Sequence, residues 1–136
     1  MNFKDFINND YIGAGIVFVT KDKNILILKK ESGKWTFPGG HREPGEEPLQ
    51  TAKRECVEEI GIMPAGKISG KIKITKQEVN RPVYSFFMEV AEEFEPTLSW
   101  EHKDYKWIFV EDLDPKKLTK VFQPYWKTYK KLIKDL

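Results

Sequence analysis

Gly39–Ile62 reads GGHREPGEEPLQTAKRECVEEIGI, and its punctuation is that of a loop running into a helix. Pro48 suits the first helical turn, where its missing N–H costs nothing, and Gly61 suits the position just past a helix end. The helix is therefore predicted over Pro48–Ile60. At about 100° per residue, Leu49, Ala52, Cys56 and Ile60 share one face, which should dock on a sheet. Glu55 and Glu59 lie one turn apart at the edge of that contact, with Glu58 one step to the side. Like charges at i,i+4 cost an isolated helix about 0.2–0.5 kcal/mol, and more against a protein wall that excludes water.

Two readings explain such a cluster. One is a solvated acidic face eased by Lys53 and Arg54; the other is a site for a hard divalent cation, which takes oxygen ligands and removes the repulsion. The flanking residues favour the second. Glu46 lies ahead of the helix, able to fold back on it, and Arg54 can hold a carboxylate in fixed bidentate geometry. Gly39 and Gly40 are read as a loop permitting positive φ, able to turn carbonyls to a metal and N–H groups to a phosphate.

Outward from this stretch, Tyr11–Thr20 is β-branched and aromatic, a buried strand. Lys21–Asn24 turns, and Ile25–Lys30 returns as its hairpin partner. Gly33–Gly40 is a short strand ending in a loop at Pro38. Lys67–Gln77, Pro82–Ala91 and Tyr105–Val110 read as further strands, and a basic amphipathic helix starting near Pro124 closes the chain. Strands with two separated helices, without regular βαβ alternation, predict an α+β architecture with a mixed sheet covered on both sides.

The 136 residues fit one domain, 1–136, with 40% hydrophobic and 13% aromatic residues. Lys and Arg number 23 against 21 acids, a formal charge of +2, which gives no electrostatic case for long nucleic acid or a membrane surface. Cys56 is the sole cysteine, so no intrachain disulfide forms and a reducing, cytoplasmic setting is expected. MNFKDFINND carries acids and does not read as a signal peptide. No apolar run approaches the roughly 18 residues of a membrane helix.

The motif resembles that of the Nudix hydrolase family, here a small, single-domain, MutT-like chain. The family's fixed positions fall on Gly40, Glu46, Arg54, Glu55, Cys56, Glu58, Glu59, Gly61 and Ile62, with only Cys56 departing from the usual aliphatic residue. Buried Cys behaves as a small hydrophobe, so the departure is minor. The resemblance implies the Nudix α/β/α sandwich. It also implies hydrolysis of a pyrophosphate bond in a nucleoside diphosphate linked to a further group X, with Mg²⁺ or Mn²⁺. By resemblance Glu55, Glu58 and Glu59 take the role of metal ligands, with the Gly39 carbonyl, and Glu55 is a candidate base. Arg54 is expected to orient Glu55 and Glu59, and Glu46 to tie loop to helix. Glu101, ahead of a strand, is a further candidate base or ligand and Asp104 a lesser one, whereas His102 reads as a loop residue and His41 as either a phosphate contact or a solvated loop residue. Cys56 is expected in the core.

X is less legible. Triphosphates, dinucleoside polyphosphates and similar small nucleotides fit, while an RNA 5′-end processor, an ADP-ribose pyrophosphatase and a non-catalytic nucleotide sensor stay open as alternatives. Gly40 is placed at the substrate, Phe122 is expected to stack on a base and Gln123 to hydrogen-bond it. An acidic pair expected of one oxidised-nucleotide subgroup is missing. EHKDYKW looks like a segment of dinucleoside polyphosphate hydrolases, although Tyr84 comes late for a tyrosine expected in many of them. Pro82 likewise comes late for an ADP-ribose pyrophosphatase. Lys71, Lys73, Lys76 and Arg81 read as solubilising residues on outward strand positions. Dimers are common in the family, but no strip of the sequence marks an interface.

Overall fold

The computed structural model describes residues 10–136, so the N-terminal reading against a signal peptide lies outside the described residues. Seven strands form one mixed sheet: β1 Gly13–Val19, β2 Asn24–Lys30, β3 Trp35–Thr36, β4 Gly39–His41, β5 Lys67–Lys76, β6 Arg81–Glu89 and β7 His102–Phe109. Helix α1 is Pro48–Ile60, as predicted, and α2 is Trp126–Lys134, entered through a 3-10 turn at Gln123–Tyr125. β1 runs parallel to β6 along its whole length and antiparallel to β4 and β2, with which it shares a single pair, Val19 and Ile25. β7 covers the far edge of β2 and β5 the far edge of β6.

Strand alternation sorts the core into two layers. Ala14, Ile16 and Phe18 of β1 with Leu26 and Leu28 of β2 face Ala52, Cys56 and Ile60 of α1. Val17, Val19, Ile25 and Ile27 face Trp126, Tyr129 and Ile133 of α2. β1 is therefore buried on both faces, which is why its sequence shows no polar alternation. In β5 a register shift between Ile68 and Gly70 puts Ile68 in the α1 layer but Ile72 and Ile74 in the α2 layer, since one extra residue exchanges the faces. Among the described residues no helix is long and apolar enough to cross a membrane.

One expectation changes here. Gly39 and Gly40 are not a positive-φ loop; they form β4, paired with Gly15 and Ala14 of β1. What they supply is close approach. A Cβ on Gly15 would stand 2.3 Å from the Pro38 carbonyl oxygen, and one on Gly39 would stand 2.7 Å from the Gly15 Cα. The positive φ falls where the turns need it, at Gly61 (φ 78°) closing α1.

The link from β4 to α1 is tied by Glu46. Its carboxylate accepts from Arg54 Nε (2.7 Å) and Nη2 (3.0 Å), from the Thr51 hydroxyl (2.9 Å) and from the Glu43 backbone N–H (2.8 Å). The Tyr11 hydroxyl donates to the Glu46 carbonyl at 2.8 Å, joining the loop to the start of β1. The Arg54 guanidinium foremost, helped by the Glu43 N–H and Thr51, holds the Glu46 carboxyl down to about 2 against the opposing effect of burial.

Two outcomes are expected. Gly15→Ala should lower stability by about 2 kcal/mol or more in urea unfolding, because its methyl meets backbone. Gly70→Ala, whose methyl would meet only Phe87 at 3.9 Å, should be neutral or stabilising. Glu46 has a folded value below its unfolded one, so its contribution is complete above about pH 4.5 and is lost as pH falls toward 2. Glu46→Gln should therefore lower the urea midpoint at pH 7 and flatten its decline between those pH values; an unchanged acid profile would show that the ion pair contributes nothing.

Candidate active site

Helix α1 carries the three motif acids into three different surroundings. Glu58 points outward, its side chain 54% exposed. Glu55 is mostly covered and lies over β4, where a Cβ on Gly40 would stand 2.4 Å from Glu55 Oε2. Glu59 is only 3% exposed, deeper than the edge position expected from the helical wheel, because β4 and the start of β7 close over it.

Arg54 reaches Glu55 (2.9 Å) and Glu58 (3.2 Å) through Nη1, and the His41 carbonyl (2.8 Å) through Nη2. It does not orient Glu59, as the resemblance implied, since Glu46 and the outer acids take its donors. Glu59 instead accepts the Gly39 N–H at 2.8 Å through Oε1 and meets His102 Nε2 at 3.2 Å through Oε2.

His102 is thus a correction. It begins β7 and is buried, not a solvated loop residue. Burial foremost pushes its imidazole below the ordinary value, with Lys30 adding to this and Glu101 opposing. Burial foremost pushes the Glu59 carboxyl up to about 8, and Glu101, Glu55 and Glu58 push the same way against the Gly39 N–H. Burial thus disfavours the charged form on both sides of this contact. His102 Nδ1 is buried with no hydrogen-bond partner among the described residues.

Glu101 sits in the exposed turn before β7, near enough to act on Glu59. Asp104 lies along β7 opposite Lys29, its Oδ1 accepting the Tyr105 N–H. Cys56 is fully buried and burial pushes its thiol up, so it is core, as expected.

On the other side of β4 lies a cavity of about 400 Å³, floored by β1, Phe37 and Phe122. Gly39, Gly40 and His41 form its wall toward the acids, and Lys30, Lys34, Lys76 and Lys120 reach it against one carboxylate, Glu78. Lys76 thus joins the site. Lys71, Lys73 and Arg81 are elsewhere: Lys71 beside Tyr84 in a separate shallow pocket, Lys73 over the Tyr84 ring, and Arg81 donating to the Asp10 carbonyl.

Phe122 lines this cavity, but it is buried against Phe37 and Tyr129, with ring centroids 5.0 and 5.7 Å away. Its first duty is packing. Gln123 does not line the cavity; its amide nitrogen donates to the Leu118 carbonyl at 2.7 Å, holding the turn before α2. Beside the charged groups, Ser32, Thr36, Ser85 and Thr119 bring hydroxyls to the cavity, which sequence reasoning missed, and Thr119 Oγ1 is buried without a hydrogen-bond partner among the described residues.

Whether the site suits a dication follows from its donors. Glu55, Glu58, Glu59 and Glu101 offer only carboxylate oxygens, the set that Mg²⁺ and Mn²⁺ prefer. They outnumber Arg54, the cation that touches two of them and is engaged by Glu46 as well. Among the described residues no three acidic, His or Cys side chains close around one point, because Arg54 and the Gly39 N–H hold the carboxylates apart. The donor chemistry and the charge excess fit a divalent ion.

Several known proteins are similar to this chain. The asymmetrical bis(5′-nucleosyl)-tetraphosphatase of Sus scrofa is 38% identical over 97 residues, 64% of this chain and 65% of that protein's length. A putative 8-oxo-dGTP diphosphatase of Bacillus subtilis is 36% identical over 63 residues, 46% of this chain and 41% of the relative. In fold, the binary complex of a C. elegans Ap4A hydrolase superposes with a TM-score of 0.76 at 24% identity, covering 91% of this chain and 99% of that one. The Nudix hydrolase RenU from M. smegmatis also gives 0.76, at 17% identity, over 93% and 88% of the two chains. The family model of the NUDIX domain matches residues 11–132, from the tyrosine that braces Glu46 to the last turn of α2. That span holds the sheet, both helices and every motif carboxylate, and the chain accordingly belongs to the NUDIX family.

Proposed function

We propose that this chain is a divalent-cation-dependent pyrophosphohydrolase of small nucleotides, with Mg²⁺ or Mn²⁺ as the cation and a dinucleoside polyphosphate as the favoured substrate. The observation that carries the reading is the two-residue wall of Gly39 and Gly40. One side carries Glu55 and Glu59, and the other is lined by lysines. A polyphosphate lying across that wall meets cationic side chains at one end and the acidic ridge at the other. The name of the pig relative supports the substrate class, as does the wealth of lysines over acids in the cavity.

Glu55, Glu58, Glu59 and the Gly39 carbonyl are the groups that would hold the ion, with Glu101 beside them. A bound dication supplies Lewis acidity, stabilising charge on the anhydride oxygens and lowering the pKa of bound water. Glu55, with Gly40 beneath it and Arg54 on its other oxygen, is placed to accept a proton from water. Arg54 fixes the directions of Glu55 and Glu58, and Glu46 fixes Arg54. Phe122 and Phe37 give an apolar floor, and Lys30, Lys76 and Lys120 meet the outer phosphates.

A panel of dinucleoside tetraphosphate, nucleoside triphosphates, ADP-ribose and capped RNA, each with Mg²⁺ or Mn²⁺, tests this. Cleavage of the dinucleoside tetraphosphate with the highest kcat/KM, lost on chelation, is the expected result. Nucleotide binding without turnover of any compound would identify a sensor instead. Glu58→Gln and Glu59→Gln should each lower kcat by about two orders of magnitude or more while the metal-free protein unfolds at an unchanged or higher urea concentration. Gly40→Ala should cut kcat with little loss of stability, because its methyl meets the movable end of Glu55 and not backbone. Wild-type kcat in that variant would remove Glu55 from the reaction.

A further inference from the structure

Trp100 is the most exposed of the large apolar side chains among the described residues, at 92%. So exposed an indole offers a broad aromatic face to a ring that approaches it. It stands at the tip of a turn that the fold holds firmly. The Ser99 N–H donates to the Glu59 carbonyl (3.0 Å) and the Thr97 N–H to the Ile60 carbonyl (2.9 Å), fastening the turn to the end of α1. The His102 N–H donates to the Ser99 carbonyl (3.3 Å), and Leu98 packs into the α1 layer below. The two residues after Trp100 are Glu101, which acts on Glu59, and His102, which touches it.

The contacts form a chain: the cavity, its wall at Gly39 and Gly40, the carboxylates Glu55 and Glu59 on that wall, His102 against Glu59, and the turn that bears Trp100. Along this chain the acids come between the cavity, with its Phe37–Phe122 floor, and the turn. Given the pyrophosphohydrolase reading above, on which this rests, we infer that Trp100 is the stacking platform for a nucleobase in the X group, at the end of the substrate remote from the cavity. The turn that bears the indole is fixed by backbone hydrogen bonds, so little backbone freedom is lost when a base settles on it. Stacking is tolerant of base identity, so this end should select for an aromatic base without reading which one. A flexible lysine at the same place would favour a bare phosphate instead.

The test compares diadenosine tetraphosphate with adenosine tetraphosphate, which differ only by the second nucleoside. Trp100→Ala should lower the ratio of their kcat/KM values by at least about fivefold, chiefly through KM for the dinucleotide, and Trp100→Phe should restore part of it. A ratio unchanged by Trp100→Ala overturns the inference. So does sedimentation showing that this substitution converts a dimer to a monomer, which would make Trp100 an interface residue. If wild-type protein cleaves neither compound, the hydrolase reading falls by itself. Tryptophan quenching by diadenosine tetraphosphate then still decides the role of Trp100: quenching lost in Trp100→Ala supports it, and quenching retained overturns it.

Discussion

Gly15 and Gly39 face each other across β1 and β4 with no side chain between them, and the rest of the site depends on that contact. With a methyl on either, backbone atoms would stand 2.3–2.8 Å from it, and the strands would have to part. Because they do not, β4 lies close enough to α1 for the Gly39 N–H to reach Glu59 and for Gly40 to accept the Glu55 carboxylate against its bare Cα. The direction of two motif acids is thus set by backbone. The wall they rest on is two residues long, so whatever sits in the cavity behind it stays near them.

Glu46 and Glu59, thirteen positions apart, meet opposite environments. Glu46 takes two donors from Arg54, a hydroxyl and a backbone N–H, and its carboxyl is held at about 2. Glu59 is sealed under β4 and β7 with one N–H and a histidine whose charged form burial disfavours, facing Glu55, Glu58 and Glu101, and stands at about 8. The difference lies in where Arg54 spends its guanidinium. By fastening Glu46 it makes the loop rigid, and by leaving Glu59 alone it leaves that carboxyl with no guanidinium to favour its charged form, a role open to a bound cation.

What could be read from the chain was whatever is fixed locally. Pro48 and Gly61 mark α1 because a missing N–H and a positive φ are properties of single residues, and the carboxylate spacing follows from the helix itself. β4 escaped because GGH has no strand propensity; it pairs only because Gly13 and Gly15, far away in sequence, offer matching gaps. His102 escaped for a similar reason, its polar neighbours suggesting a loop while its burial depends on Glu59 from another element. Phe122 and Gln123 read as base contacts from the sequence, but an aromatic cluster claims the first and the Leu118 carbonyl the second. Thr119 carries no sequence signal, since a lone threonine after a lysine pair says nothing of a buried hydroxyl.

The two sides of the β4 wall carry opposite charge, and this couples the two ligands of the proposed reaction. Lysines draw a polyphosphate into the cavity, yet the acidic ridge repels the part that must reach the reacting position. Cations on the ridge reverse that repulsion, so nucleotide binds tighter when they are present. Linkage requires the reciprocal: the ions bind tighter with nucleotide in place, by the same factor. The buried Glu59 would strengthen the coupling: burial and its acidic neighbours raise it to about 8, so its poorly screened charge would develop with a cation beside it. A ridge of exposed glutamates alone would take up cations at much the same affinity whether or not substrate was there. Sealing one of them beneath the backbone that also walls the cavity would make occupancy of such a metal site depend on the nucleotide.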